Sequence, residues 1–200
     1  RQMCIRDRLQ TTVMVIMFLV KVDYCFRRGK EVTVKSSPST LDLSSHWWSD
    51  VRRLDIDTKF SCVVDSYLNL NDILLCGDII NVACKSVIDI FEELGVEFDI
   101  YETVWQNPSE EFLQKEYRVF RMPITHGAID MNRSKYSVDE NNNPYHFFET
   151  VFHEQTPAIF RARERADKMF CGKEFVSLCK RRKVSGIGFR AVSYTHLTLP

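Results

Sequence analysis

Apolar side chains recur at the 3.6-residue spacing of an amphipathic helix between Val82 and Leu94. Asn81 precedes this stretch as a suitable N-cap, and Gly95 follows it where a left-handed residue commonly ends a helix. The pattern therefore predicts a helix over Val82–Leu94 that buries one stripe of side chains. The stripe consists of Val87, Ile88, Phe91 and Leu94.

A second amphipathic pattern covers Lys173–Lys183 near the end of the chain. Its expected inward side chains are Phe175, Val176, Leu178 and Cys179. Gly186 follows it, and we expect this glycine to let the chain reverse into a last strand over Gly188–Val192. A dinucleotide-binding loop is not predicted here, because the third glycine and a following helix are missing.

Alternation of apolar and polar residues, together with short apolar runs, predicts the β-strands. The alternation is clearest over Val96–Trp105, whose expected inward side chains are Val96, Phe98 and Ile100. Further strands are predicted at Val13–Val20, Glu31–Lys35, Phe60–Val64, Ile73–Cys76, Glu116–Met122, Phe147–Phe152 and Ile159–Arg163. Because most connections have the length of hairpin turns, we expect an α+β fold in which two main helices pack against a mostly antiparallel sheet.

The composition fits one globular domain, since 44% of the 200 residues are hydrophobic and 27% are charged. Residues 1–8 and 193–200 resemble translated sequencing-adapter peptides, and we interpret both as non-native tails. Between them we expect a β-rich N-terminal portion over residues 9–70 and an α+β portion over residues 71–192.

Charge, apolar runs and cysteines narrow the classes of function. The 27 basic residues equal the 27 acidic ones, whereas a nucleic-acid-binding protein usually carries a basic excess. The apolar run Val13–Val20 is shorter than the ~20 residues that cross a bilayer, and no small-residue cleavage site follows it. The seven cysteines form no Cys-x-x-Cys pair, so we expect reduced, buried thiols in a cytoplasmic protein without a membrane span.

Two histidines and two aspartates leave a metal-dependent hydrolase as one alternative. His146 and His153 lie seven residues apart, whereas a helical metal site needs a spacing near four and a strand would place these two on opposite faces. Asp55 and Asp57 share one strand face, but no further ligand lies near them in the sequence. Solvated side chains are the simpler interpretation, and we predict no metal site.

Two basic stretches leave a small nucleic-acid-binding protein as the other alternative. Arg161, Arg163 and Arg165 would form a one-sided ladder on a single strand, although Glu164 weakens it. The run Lys180–Lys183 lies where the second helix should end, and cations there offset the negative end of the helix dipole. We favour the helix-end interpretation and do not expect a nucleic-acid partner.

Several short motifs follow one another in a defined order from Asp72 to Val192. The part from Tyr117 to Val192 contains no nucleophile with a base, no ligand cluster and no phosphate loop. The motifs are Asp72-Ile73-Leu74, Gly95-Val96-Glu97-Phe98, the Tyr117-led strand, Asp130, Ser134-Lys135-Tyr136, Phe160-Arg161 and Gly186-Ile187-Gly188-Phe189. In their order and spacing the chain resembles a family of bacterial immunity proteins from polymorphic toxin systems, the type numbered forty-three and formerly a domain of unknown function.

The resemblance implies a non-enzymatic, cytoplasmic protein that binds the toxin encoded beside it and neutralises that toxin by occlusion. It implies no catalytic residue and no cofactor, because the family has no established catalytic residues. Exposed aromatic and acidic side chains are the expected contacts with the toxin. As candidates we take Trp47, Trp48, Glu110 and Glu111, although adjacent tryptophans also commonly pack at the edge of a core.

Overall fold

Strands dominate the computed structural model, which describes residues 17–22, 32–36, 58–65, 70–76 and 80–192. In chain order they are β1 (Phe18–Val22), β2 (Val32–Ser36), β3 (Phe60–Val64), β4 (Ile73–Cys76), β5 (Ile80–Ala83), β6 (Asp99–Tyr101), β7 (Thr103–Gln106), β8 (Arg118–Arg121), β9 (Ile124–Thr125), β10 (Lys135–Val138), β11 (Pro144–Glu149), β12 (Ile159–Ala162), β13 (Arg165–Cys171) and β14 (Ile187–Ala191). The predicted tails at residues 1–8 and 193–200 lie outside these ranges.

Helices accompany the strands at three places in the described residues. They are α1 (Lys85–Glu93), the short α2 (Glu110–Gln114) and α3 (Lys173–Arg181). Most neighbouring strands are antiparallel, so the predicted α+β class with two main helices is confirmed. All four side chains predicted to face inward from α3 are buried.

The first helix begins later than predicted and ends as predicted. Asn81 is not its N-cap, because Asn81 and Val82 lie within β5, where they pair with β4 and β8. Gly95 has a φ of 61° and donates to the Glu92 carbonyl, while the next N–H bonds back to Phe91. These two hydrogen bonds are the Schellman arrangement that the glycine predicted.

The described strands form three sheets, and the N-terminal strands β1 to β3 are members of the two larger sheets. The five-stranded sheet has the order β14-β1-β13-β12-β9, so β1 lies between two strands from the end of the chain. The seven-stranded sheet has the order β6-β8-β5-β4-β2-β3-β7, and β10 and β11 form a separate hairpin. Strands β1 to β3 and strands from the region after residue 70 therefore build the larger sheets together.

Two hydrophobic clusters lie on opposite faces of the five-stranded sheet. Along β1, Val20 belongs to the first cluster and Leu19 to the second, as strand alternation requires. The first cluster also contains side chains of the seven-stranded sheet and of helices α1 and α3. The second includes Ile129 and Phe152, so the segment that carries the hairpin covers this face.

The segment predicted as one strand over Val96–Trp105 is divided into β6 and β7. Val96 and Phe98 contact the first cluster as predicted, but within β6 the inward face is opposite to the prediction. Asp99 and Tyr101 are 6% and 1% exposed, whereas Ile100 is 36% exposed. The Asp99 carboxylate lies 3.7 Å from the buried guanidinium of Arg121 on β8. Burial of this charge pair turns Asp99 inward, which apolar alternation alone does not reveal.

The strand predicted over Phe147–Phe152 is shifted in the structure. It corresponds to β11, which ends at Glu149, while Phe152 forms only an isolated bridge with Ile129. The Ser134 hydroxyl accepts a hydrogen bond from the Val151 amide at 2.9 Å and holds this connection against the start of β10. A side chain distant in sequence therefore sets the end of the strand.

Candidate functional site

The acidic pair predicted to contact a partner lies in the first turn of α2. Glu110 and Glu111 are both exposed there. The Ser109 hydroxyl accepts a hydrogen bond from the Phe112 amide at 3.2 Å and caps the helix. The carboxylates of Glu110 and Glu111 offset the positive end of the helix dipole, so the exposure of these two side chains has a structural explanation as well. Trp47 and Trp48 lie outside the described residues.

The residues of the hydrolase alternative are only partly covered by the structure. His146 lies on β11 and His153 lies beyond that strand, and both side chains are exposed. Asp55 and Asp57 lie outside the described residues. Within the ranges that the structure covers, no group of three or more His, Cys, Asp or Glu side chains could hold a metal ion.

The arginine ladder of the nucleic-acid alternative does not form, and the expected solvated role is wrong for Arg161, because the three arginines belong to two strands and the turn between them. Arg161 is on β12, Arg163 is in the turn and Arg165 begins β13. Arg161 is only 2% exposed, and its guanidinium donates to the carbonyls of Ala166 and Met122 at 2.8 and 3.3 Å. This cation binds backbone inside the protein and cannot reach a phosphate outside it.

The second basic run ends α3 and contacts the other main helix. Lys180 and Arg181 occupy the last turn, where cations offset the helix dipole. Arg181 and Arg182 both form ion pairs with Glu93 at the end of α1. These contacts agree with the helix-end interpretation of the run.

The hairpin of β10 and β11 carries the largest exposed aromatic side chains of the described residues. Tyr145 is 77% exposed, Phe148 is 71% exposed and Val138 is 48% exposed. The ring of His146 lies 4.9 Å from the ring of Phe148. We call these four residues the hairpin patch, and exposed aromatic side chains are typical of a surface that binds another protein.

Local contacts fix the shape of this hairpin before any partner arrives. At the turn, the Asp139 carboxylate accepts hydrogen bonds from the amides of Asn143 and Asn141 at 2.8 and 2.9 Å, and these bonds lower the pKa of Asp139. At the base, Lys135 and Glu149 form an ion pair at 2.8 Å. A hairpin held at both ends loses little conformational freedom on binding.

Sequence analysis missed the hairpin patch, although a signal for it was present. Tyr145, Phe147 and Phe148 lie within one short strand, which puts aromatic rings on both of its faces. Phe147 packs against the second hydrophobic cluster and the ring of Tyr136, so only one face of β11 finds a core. The ring of Phe148, on the other face of this two-stranded hairpin, has no second layer to cover it.

A second cluster joins four distant parts of the chain at one carboxylate, and we call it the Asp72 clamp. Asp72 accepts hydrogen bonds from the Ser185 amide at 2.8 Å, the Ser185 hydroxyl at 2.9 Å and the Lys115 ammonium at 3.0 Å. The Cys84 thiol donates to it at 3.5 Å. Burial alone would raise the pKa of Asp72, but the hydrogen bonds from Ser185 and Lys115 bring it below its ordinary value.

The Cys84 thiol in this clamp stabilises the structure as a hydrogen-bond donor and is not an activated nucleophile. Cys84 is the N-cap of α1, a position that often activates a cysteine. Here burial raises the pKa of the thiol, and the Asp72 carboxylate raises it further. Cys84 is therefore protonated at neutral pH and serves as a hydrogen-bond donor. Burial likewise raises the pKa of Tyr117, whose hydroxyl donates to the Asn71 carbonyl at 2.6 Å.

Gly186 passes so close to the segment before β4 that the fold excludes a side chain there. A Cβ on Gly186 would lie 2.5 Å from the Asn71 Cβ and 2.7 Å from the Ile73 carbonyl oxygen, and its φ is +74°. We expect Gly186→Ala to lower the free energy of unfolding by about 1–3 kcal/mol, as measured by urea denaturation. Gly188→Ala is the control, since its Cβ would meet Lys21 only at 3.8 Å. Equal stability of the two variants would contradict the prediction.

In comparisons with known proteins, no family model and no curated protein matches the chain. The resemblance to immunity proteins therefore stays a prediction from the sequence. None of the helices in the described ranges combines the length and apolar character needed to cross a bilayer.

Proposed function

We propose that this chain is an immunity-type protein that binds a cognate bacterial toxin domain in the cytoplasm and neutralises it by occlusion. The observation that supports the proposal most directly is the hairpin patch, where Tyr145 and Phe148 are more than two-thirds exposed on a preformed hairpin. The order of motifs from Asp72 to Val192 supports it independently.

Occlusion requires binding energy, and the hairpin patch can supply it. Burying an exposed aromatic side chain contributes about 1.5–3 kcal/mol, and aromatic residues are the commonest energetic centres of protein interfaces. The rings of the hairpin patch would pack against the toxin, while the surrounding polar contacts would keep water out of the centre of the interface. The protein would then act through shape and affinity, without transforming a substrate.

Neutralisation of the toxin domain encoded beside this chain tests the proposal. Co-expression with the wild-type protein should restore growth of cells that produce the toxin. The double variant Tyr145→Ser, Phe148→Ser should lose this protection, and its dissociation constant should rise at least about thirtyfold, since one energetic centre contributes ~2 kcal/mol or more. Calorimetry with the purified toxin domain measures the constant directly.

A matched control separates the hairpin patch from exposed apolar surface in general. Ile100 and Val104 are also exposed, but they lie on β6 and β7 in the seven-stranded sheet. The variant Ile100→Ser, Val104→Ser should protect cells as well as the wild type. If the wild-type protein does not protect cells, the proposed function is wrong. If the Tyr145, Phe148 variant still protects fully, the toxin contacts another surface.

A further inference from the structure

A cleft of about 220 Å³ lies beside the hairpin patch, between β11 and the outer strands of the five-stranded sheet. Phe148 lines the cleft and also belongs to the hairpin patch, so a partner that covers the rings also covers the cleft. The volume is below the ~300–1,000 Å³ typical of pockets for drug-sized ligands. A cleft of this size fits a single protein side chain.

The floor of the cleft belongs to the sheet, and the surface that the cleft exposes is mainly polar. Leu19 and Phe170 are paired across β1 and β13, and both side chains are buried in the second cluster. Arg190 on β14 pairs with Leu19 from the other side. Directly paired residues of antiparallel strands point to the same face, so Arg190 stands on the face that carries this floor.

Two guanidinium groups give the cleft a positive charge. Arg165 and Arg190 both line it, and none of the described residues in its lining is acidic. Arg165 lies over the ring of Phe147 at 5.7 Å, which orients its planar group. Arg190 is exposed, and its side chain makes no hydrogen bond or ion pair with the part of the chain that the structure describes. Glu149, on the same strand as Phe148, is already paired with Lys135.

We propose that this cleft binds a glutamate side chain of the partner protein, an inference that rests on the proposed function. The carboxylate would accept paired hydrogen bonds from the Arg190 guanidinium, whose planar geometry matches it. The methylene groups of glutamate would pack on the exposed ring of Phe148, which favours glutamate over the shorter aspartate. The hairpin patch then supplies affinity and the cleft supplies charge complementarity, so the partner surface is acidic beside an apolar centre.

The first test uses labelled hexaglutamate as the probe and measures fluorescence anisotropy at low ionic strength. The wild-type protein should bind hexaglutamate more tightly than hexa-aspartate. Arg190→Gln should weaken hexaglutamate binding at least about tenfold, because a desolvated charge pair is lost. Arg163→Gln is the matched control, since this exposed arginine lies in the turn before β13 and not in the cleft lining. Equal binding by wild type and Arg190→Gln would overturn the inference.

A single-stranded oligonucleotide of equal charge is the competing probe. Tighter binding of the oligonucleotide than of hexaglutamate, lost in Arg190→Gln, would replace the glutamate by a phosphate backbone and overturn the inference. Failure of the wild type to bind either probe would overturn it as well.

The toxin domain separates this inference from the proposed function. Arg190→Gln should weaken toxin binding at least about tenfold and flatten its salt dependence, while Arg163→Gln should not. If Arg190→Gln binds the toxin normally and the Tyr145, Phe148 variant does not, the cleft inference is wrong and the proposed function stands. If the wild type binds hexaglutamate at the cleft but no toxin, the proposed function is wrong and the carboxylate site stands.

Discussion

Asp72→Ala is expected to lower the free energy of unfolding by about 2–4 kcal/mol, because it removes the acceptor at the centre of the Asp72 clamp. The variant leaves the Ser185 amide and hydroxyl and the Lys115 ammonium without the carboxylate that binds them. Between the chain before β14 and the segment before β4 it leaves only the hydrogen bond from the Asp72 amide to the Ser185 hydroxyl, at 3.0 Å, among the polar contacts of Asp72. Urea denaturation measures the loss, and the m-value should stay unchanged.

A surface carboxylate provides the control for this variant. Asp89 accepts from Lys85 at 2.6 Å on α1, and both side chains are more than one-third exposed. Exposed pairs of this spacing contribute only about 0.3–0.5 kcal/mol, so Asp89→Ala should be almost neutral. If both aspartate variants lose the same small amount of stability, Asp72 is not a structural centre.

The dependence of stability on pH gives an independent test of the Asp72 clamp. The pKa of Asp72 is lowered in the folded protein from its ordinary value of 3.8, so folding favours the charged form. Its contribution is therefore complete above pH 3.8 and is lost as the pH falls through the lower folded pKa. Between about pH 5 and pH 2, stability should fall more steeply for the wild type than for Asp72→Ala. Parallel curves would contradict this assignment.

Helices were predictable because their signals are local. The stripe that includes Phe91 and the glycine at position 95 lie within one stretch of the chain, and the structure ends α1 at that glycine. The inward face of α3 was likewise correct in every residue. The start of α1 was wrong because Val82 is needed in the sheet, where it pairs with Leu74 and Val119. Tertiary pairing outweighed the helical pattern there.

Charged residues caused the two largest errors in the fold prediction. Alternation placed Ile100 inward and Asp99 outward, but the buried guanidinium of Arg121 reverses that order. Arg161 looked like part of an exposed ladder, yet its guanidinium satisfies two carbonyl groups inside the protein. In both cases a group in another segment of the chain decides whether the charged side chain is buried, and a local pattern of residues does not reveal which group that is.

The candidate sites depend on contacts between residues that are distant in sequence. Asp72 and Ser185 are 113 positions apart, and the sequence marked Asp72 only as part of a short motif. Phe148 and Arg190 meet at the cleft only because β14 lies at the edge of the five-stranded sheet. Sequence analysis could recognise aromatic and basic residues as candidates, but it could not place them on one surface.

Phe91→Ala is expected to lower the free energy of unfolding by about 3–5 kcal/mol, more than Asp72→Ala does. Phe91 is fully buried, and its ring lies 5.2 to 5.9 Å from the rings of Phe98, Phe120 and Phe175. Its removal leaves a cavity between α1, α3 and the seven-stranded sheet and breaks three ring contacts. Thermal and urea denaturation should both report the loss.

Phe148→Ala removes the same kind of ring from the hairpin patch, and we expect it to affect toxin binding rather than stability. Because the ring is 71% exposed, its loss should change the free energy of unfolding by less than about 0.5 kcal/mol. Binding of the toxin domain should weaken, whereas Phe91→Ala should leave the affinity of its folded fraction unchanged. If Phe148→Ala destabilises the fold as much as Phe91→Ala, its ring belongs to the core, and neither the hairpin patch nor the cleft is a free surface for a partner.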